Sequence, residues 1–134
     1  MSRAIKFRAW NTKHKYMDDT VFIRTCDGAV FDVPGVRYDT PNTEIELSND
    51  LVIMQFTGLT DKNGVEIYEG DILEKTYLKE ENYSSGEYVR SDVVFHEQSL
   101  CERFTHDNGK VYYGKINRDS FVAGNIYQNP ELLK

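Results

Sequence analysis

Residues 54–73 constrain the fold more than any other stretch: Met54-Gln55-Phe56-Thr57-Gly58-Leu59-Thr60-Asp61-Lys62-Asn63-Gly64-Val65-Glu66-Ile67-Tyr68-Glu69-Gly70-Asp71-Ile72-Leu73. Apolar residues run to Gly58, resume after Asp61-Lys62-Asn63-Gly64, and break again at Glu69-Gly70-Asp71. That pattern spells strand, tight turn, strand, bend, strand. Glycine at the second break permits a positive φ or a bulge, so the chain can change direction at the corner of a small barrel. Asp61 and Asn63 suit the turn they occupy, and an aspartate after glycine, Asp71, can accept hydrogen bonds from free turn N–H groups. Gly58, Gly64 and Gly70 are separated by strand-like residues and open no helix, so they are read as structural turn positions rather than a phosphate-cradling loop.

The rest of the chain repeats this short-strand grammar. Residues 4–10 alternate, with Ile5, Phe7 and Ala9 on one side and Lys6, Arg8 and Trp10 on the other, as in a half-buried strand. Asn11-Thr12-Lys13-His14 reads as a turn, with Tyr16 and Met17 beginning the returning strand. Val21-Phe22-Ile23 and residues 29–33 form a second pair with Asp27-Gly28 at its turn. Residues 34–50 are polar and rich in breakers. Residues 51–56 are the best central strand. Residues 72–78 continue after Gly70, and residues 79–86 read as a polar, mobile hairpin tip. Val89, Ser91, Val93 and Phe95 line one face of a long strand. Leu100 and Phe104, four apart, fit a short helix or an irregular loop over residues 97–105. Asp107-Asn108-Gly109 is a turn, and residues 111–116 and 121–127 are strands. Asn129-Pro130-Glu131 reads as an N-cap, a first-turn proline and a dipole-matched acid opening one terminal helical turn. Nine or ten short strands without a long amphipathic helix predict a mainly β domain, barrel or sandwich.

With 134 residues, the chain is long enough for one domain that buries roughly two-thirds of its unfolded surface without a metal or disulfide staple. Cys26 and Cys101 lie far apart in sequence and read as reduced thiols of a cytosolic protein. The first residues lack the apolar run of a signal peptide, and no segment reaches the roughly 20 apolar residues of a membrane span. The expectation is a soluble, cytoplasmic protein with no membrane partner.

The net charge of −6 disfavours general affinity for a phosphate backbone, but it is unevenly spread. Residues 1–16 hold five basic and no acidic side chains; residues 17–74 hold three and thirteen; residues 75–134 hold eight and nine. Opposite patches of this kind can pair within one subunit or between subunits, and the second arrangement is one ground for expecting self-association. The bland reading is a solvated surface.

Chemistry has little to stand on. Glu69 and Asp71 flank Gly70 without an accompanying cluster to stabilise an electrophile. His96, Cys101 and His106 are five apart on either side, wider than zinc pairs and one ligand short of four. A nucleophilic Cys101 needs a stabilised thiolate that the sequence does not supply, and Cys26 has less support still. No catalytic residue, metal or cofactor is expected, and the protein reads as a non-enzyme. The best candidate binding surface is the basic arm Arg3, Lys6, Arg8, Trp10, Lys13 and Lys15, because cationic and aromatic groups together serve single-stranded nucleic acid. The competing reading packs Trp10 in the core and leaves the charges on an edge strand.

Three stretches together resemble the YopX family of small bacteriophage- and prophage-encoded proteins. They are Ile5-Lys6-Phe7-Arg8-Ala9-Trp10; the run containing Thr57-Gly58-Leu59-Thr60-Asp61-Lys62-Asn63-Gly64 and Ile67-Tyr68-Glu69-Gly70-Asp71-Ile72; and Gly124-Asn125-Ile126-Tyr127-Gln128-Asn129-Pro130-Glu131-Leu132-Leu133. The resemblance implies one domain over residues 1–134, an SH3-like small β-barrel with additional N-terminal strands and little helix, a phage or prophage origin, and self-association. It carries no established biochemical activity. The expected function is that of a phage accessory protein, a self-associating module that binds a host or phage protein in the bacterial cytoplasm. The alternative is a weak nucleic-acid-binding barrel using the basic arm.

Overall fold

The computed structural model describes residues 4–18, 21–23, 26–32, 46–47, 50–76, 88–106, 108–117 and 119–133. The described residues are mainly β, with one short 3₁₀ turn at Pro130–Leu133. The chain divides into two compact units, Lys6–Met54 and Gln55–Lys134 with Met1–Ile5. Residues 79–86, expected to form a hairpin tip, lie outside the described residues, as does most of the breaker-rich segment 34–50.

In Lys6–Met54, β1 (Phe7–Asn11) and β2 (Tyr16–Asp18) form an antiparallel hairpin with Trp10 opposite Met17. Asn11 stabilises its turn by accepting the N–H groups of Lys13 at 3.1 Å and His14 at 2.8 Å on its side-chain oxygen. The chain needs Lys15 at φ 59° to close that turn. β3 (Val21–Ile23), β4 (Val30–Asp32) and β5 (Glu46–Leu47) form a small sheet in that order. Gly28 has φ 74°, and Asp27 accepts the Ala29 N–H, which is the Asp-Gly turn read from the sequence.

β6 (Leu51–Thr60) is longer than the expected central strand and pairs with β7 (Glu66–Tyr68) through Phe56 opposite Tyr68 and Thr60 opposite Glu66. The register shifts between those pairs, around Gly58 at φ 85°, so the predicted break is a bulge inside one strand. β8 (Asp71–Thr76), β9 (Tyr88–His96), β10 (Ser99–Thr105), β11 (Val111–Gly114) and β12 (Phe121–Asn125) form an antiparallel sheet of order β11-β10-β9-β8-β12. One face carries Leu73 and Val93, which pack with Ile67 and with Leu59, Ile116 and Val122 around them. Ile72 and Asp92 on the other face are also buried. This double burial explains why β8 and the middle of β9 show no polar alternation.

Two sequence expectations need correction. Residues 97–105 are neither helix nor irregular loop: Ser99–Thr105 is a strand lying between β9 and β11, joined to β9 by a two-residue turn with Glu97 at φ 46° and Gln98 at φ 71°. Positive φ at both central residues is the hairpin geometry that normally asks for Asn or Gly. Asn129 does not cap the terminal turn with its side chain. That oxygen instead accepts the Asn125 N–H at 3.3 Å and lies against the Cα of Gly124, where a Cβ would collide with it.

Candidate functional site

The turn at residues 57–71 is built from the side chains the sequence singled out, and every carboxylate there that is buried serves the backbone. Gly64 and Gly70 have φ 81° and 85°. Asp61 is buried; its Oδ1 accepts the N–H groups of Asn63 at 2.8 Å and Val65 at 2.9 Å, and its Oδ2 accepts that of Val122 at 2.9 Å. Burial pushes the Asp61 carboxyl up, but those three N–H donors and the Lys62 charge together hold it below its ordinary value. Asp71 is buried and accepts the Tyr68 N–H at 2.8 Å. Glu69 is half-buried, and its own N–H donates to the Gln55 carbonyl. The Glu69 and Asp71 pair therefore sits in a backbone-stabilising bend.

The His96, Cys101 and His106 spacing resolves into separate contacts. His96 stacks on Tyr113 with ring centroids 3.6 Å apart, and His106 meets Tyr112 edge-on at 4.9 Å. Among the described residues no three His, Cys, Asp or Glu side chains gather as a metal site would require. Burial pushes the Cys101 thiol up; Arg103 opposes this, while Asp92, Glu102 and Glu97 add to it. That environment stabilises the thiol, not the nucleophilic thiolate. Both cysteines are free, Cys26 exposed and Cys101 buried.

Two polar clusters in the five-stranded sheet were not legible in the sequence. Arg103 on β10 grips Asp92 on β9 with Nε at 3.1 Å and Nη2 at 2.5 Å, and Asp92 is almost fully buried. This hydrogen bond is the main reason the Arg103 guanidinium is pushed up. On the opposite face Glu102 is 2 % exposed and accepts the Asn117 N–H at 3.2 Å. Burial pushes its carboxyl up, against the Asn117 N–H, the Lys75 charge and the Ser91 hydroxyl. A cavity of ≈ 20 Å³ between Lys75, Ser91, Glu102, Asn117 and Ser120 has room for about one water, too little for a substrate.

The proposed basic arm is only partly a surface. Arg3 lies outside the described residues; Lys6, Lys13 and Lys15 are exposed; Arg8 is half-buried with Nη2 3.8 Å from the Met54 sulfur. Trp10 is 6 % exposed. The Trp10 ring is therefore packed away, as the competing reading has it, because Ala9, Trp10 and Asn11 are buried in succession and the alternation of β1 ends before it.

Exposed large apolar side chains are spread over Ile5, Phe7, Tyr16, Val65, Phe95 and Leu133, and three more stand in succession on β11. Val111, Tyr112 and Tyr113 are 43 %, 52 % and 45 % exposed, and Phe95 on β9 is 61 % exposed. β11 is an edge: β10 flanks it on one side, and among the described residues no strand flanks it on the other. The far edge, β12, is covered differently, with Val122 N–H held by Asp61 and the Ser120 carbonyl accepting the Lys62 N–H. A shallow cleft of ≈ 260 Å³ beside β11 is lined by His96, Ser99, Cys101, Tyr113 and Lys115. Three consecutive large apolar residues after an Asn-Gly turn mark a strand in the sequence, and only the pairing with β10 makes that strand an edge.

The fold and its surfaces thus define a small, mainly β protein whose buried acids are held in structural contacts and whose β11 edge, unflanked among the described residues, is aromatic. The family model for the YopX protein matches residues 6–134, and the chain belongs to that family. It is similar to the crystal structure of protein EF1440 from Enterococcus faecalis, at 28 % identity and TM-score 0.57, covering 99 % of this chain and 100 % of that one. It shares its fold with protein yopX from Bacillus subtilis, at 18 % identity and TM-score 0.56, covering 96 % and 95 % of the two chains. No curated protein matches it. Among the described residues no helix is long and apolar enough to cross a membrane.

Proposed function

We propose that this protein is a non-enzymatic, self-associating protein-binding module, a phage or prophage accessory protein that works in the cytoplasm of a bacterial host. It acts as one domain built on an SH3-like barrel, and its targets are copies of itself and a host or phage protein. The observation that carries this reading is the β11 edge, which no strand among the described residues flanks on its outer side, with large apolar side chains on both faces of the strand. Soluble monomers normally blunt such an edge, since its unpaired N–H and C=O groups template another strand. The commitment of Asp61, Asp71 and Asp92 to structural contacts supports the non-enzymatic part. The nucleic-acid alternative keeps the exposed Lys13, His14 and Lys15 turn but loses Trp10 as a stacking group.

Sedimentation equilibrium over a range of protein concentrations tests the reading. A mass that rises above 15.6 kDa with concentration supports it, and a monomer throughout contradicts it. A gel-shift series at rising salt separates the alternative: retardation of single-stranded DNA that weakens steeply with salt would favour the basic arm.

A further inference from the structure

The direction of every free backbone group on β11 follows from its pairing with β10. Glu102, Arg103, Phe104 and Thr105 lie opposite Gly114, Tyr113, Tyr112 and Val111. The His106 N–H donates to the Lys110 carbonyl at 2.8 Å, so residues 106 and 110 form a hydrogen-bonded pair. Hydrogen-bonded and non-hydrogen-bonded pairs alternate along an antiparallel ladder. Phe104 with Tyr112 and Glu102 with Gly114 are therefore hydrogen-bonded, while Val111 and Tyr113 aim both their N–H and C=O away from β10. The open edge offers the backbone of those two residues and not that of Tyr112.

We infer that the β11 edge pairs antiparallel with the β11 edge of a second copy, with Tyr112 on the two-fold axis. The inference rests on the self-association proposed above and names its surface and register. Only outward-facing residues can form hydrogen-bonded pairs, so a symmetric pairing centres on Val111, Tyr112 or Tyr113. Centring on Tyr112 places Val111 opposite the partner's Tyr113 and Tyr113 opposite the partner's Val111, two hydrogen-bonded pairs within the strand. Centring on either neighbour uses Gly109 or Lys115, which lie outside the strand Val111–Gly114.

Charge agrees with the backbone. The Tyr112-centred register sets Lys110 opposite Gly114 of the second copy and Lys115 opposite Gly109. Shifting by one residue would set Lys110 against Lys115, a like-charge contact, and that shift also presents inward-facing groups to the partner. Side chains fit as well. Tyr112 meets its own copy as a non-hydrogen-bonded pair, whose close Cα spacing suits an aromatic contact. Val111 and Tyr113 share the other face, a β-branched and aromatic pair of the kind that stabilises cross-strand contacts, with His96 already stacked behind Tyr113.

Site-directed disulfide trapping tests the register. A non-hydrogen-bonded pair about 4.5 Å apart at Cα lies within disulfide reach. In a Cys26→Ser background, which removes the exposed thiol, Tyr112→Cys is expected to link into a dimer on mild oxidation. Tyr113→Cys alone is expected to form no disulfide-linked dimer, while a mixture of Val111→Cys and Tyr113→Cys chains links. Tyr112→Cys failing to link while the unmodified protein still sediments above its monomer mass would overturn the β11 register and leave self-association standing. An unmodified protein that sediments as a monomer at every concentration overturns both. Failure of the mixed pair to link, with each chain folded by circular dichroism, also overturns the register.

Discussion

Replacing Asp61 by asparagine changes one atom in the residue that ties the turn at residues 61–65 to β12. Oδ1 serves two N–H groups and Oδ2 serves the third, that of Val122, sixty-one residues away. An asparagine keeps its oxygen for Asn63 and Val65 and presents an amide NH₂ to the Val122 N–H. The lost bond is to a charged acceptor, for which the loss is about 1.5–3 kcal/mol, and donor facing donor places Asp61→Asn near the upper end. Asp61→Ala releases the other two bonds as well, but Asn63 and Val65 are exposed and water replaces the acceptor, adding about 1 kcal/mol each. Urea denaturation is the assay. The midpoint should fall in the order wild type, Asp61→Asn, Asp61→Ala, with an unchanged slope. Because the folded carboxyl lies below its ordinary value of 3.8, its contribution is complete above that value and is lost as pH falls through the folded value. The gap between wild type and Asp61→Ala should therefore narrow in acid. An Asp61→Asn protein as stable as wild type at neutral pH would refute this account of the turn.

Three further outcomes follow from the buried contacts. Glu102 binds its proton more tightly folded than unfolded, so its ionisation lowers stability as pH rises from about 4.5 through the folded value; Glu102→Gln keeps an acceptor for Asn117 and should flatten that part of the thermal-melting pH profile. Gly124→Ala pushes a Cβ into Asn129 and should cost about 1–3 kcal/mol by chemical denaturation, and an unaffected midpoint would show that the terminal turn gives way freely. Under native conditions iodoacetamide should modify Cys26 first and leave Cys101 until the protein unfolds, read by mass spectrometry; equal rates would contradict the burial of Cys101.

Hairpins were legible wherever turn chemistry is local. Asp27-Gly28 and Asp61-Lys62-Asn63-Gly64 supply positive φ and a capping carboxylate within a few residues, so their pairing is written in the chain itself. The β9–β10 turn was not, because Glu97 and Gln98 adopt positive φ under the pull of strand pairing and carry no propensity for it. Without that turn, the four-residue spacing of Leu100 and Phe104 fits a short helix or an irregular loop, although Leu100, Glu102 and Phe104 alternate as a strand does. Nothing local in the sequence marks Glu102 and Asp92 as buried, and only the fold brings Asn117 and Arg103 to satisfy them. At Trp10 the sequence leaves two readings open, a face shared with Lys6 and Arg8 or a place in the core, and burial closes over β1 from Ala9 onward in favour of the second. The aromatic edge at residues 111–113 was visible as a strand, yet its position at the end of a sheet depends on pairing with β10.

The central claim is that copies of this protein join through the outward backbone of β11. Proline separates that claim from fold stability, since Tyr113→Pro deletes an N–H that faces away from β10 while Tyr112→Pro deletes one that the β10 ladder uses. Sedimentation equilibrium of wild type and Tyr113→Pro, with Tyr113→Ala as the control for the lost ring, is the most direct measurement. The account predicts a wild-type mass that rises with concentration, a smaller rise for Tyr113→Ala, and a folded Tyr113→Pro protein held at 15.6 kDa. A folded Tyr113→Pro protein that associates as strongly as wild type would contradict it.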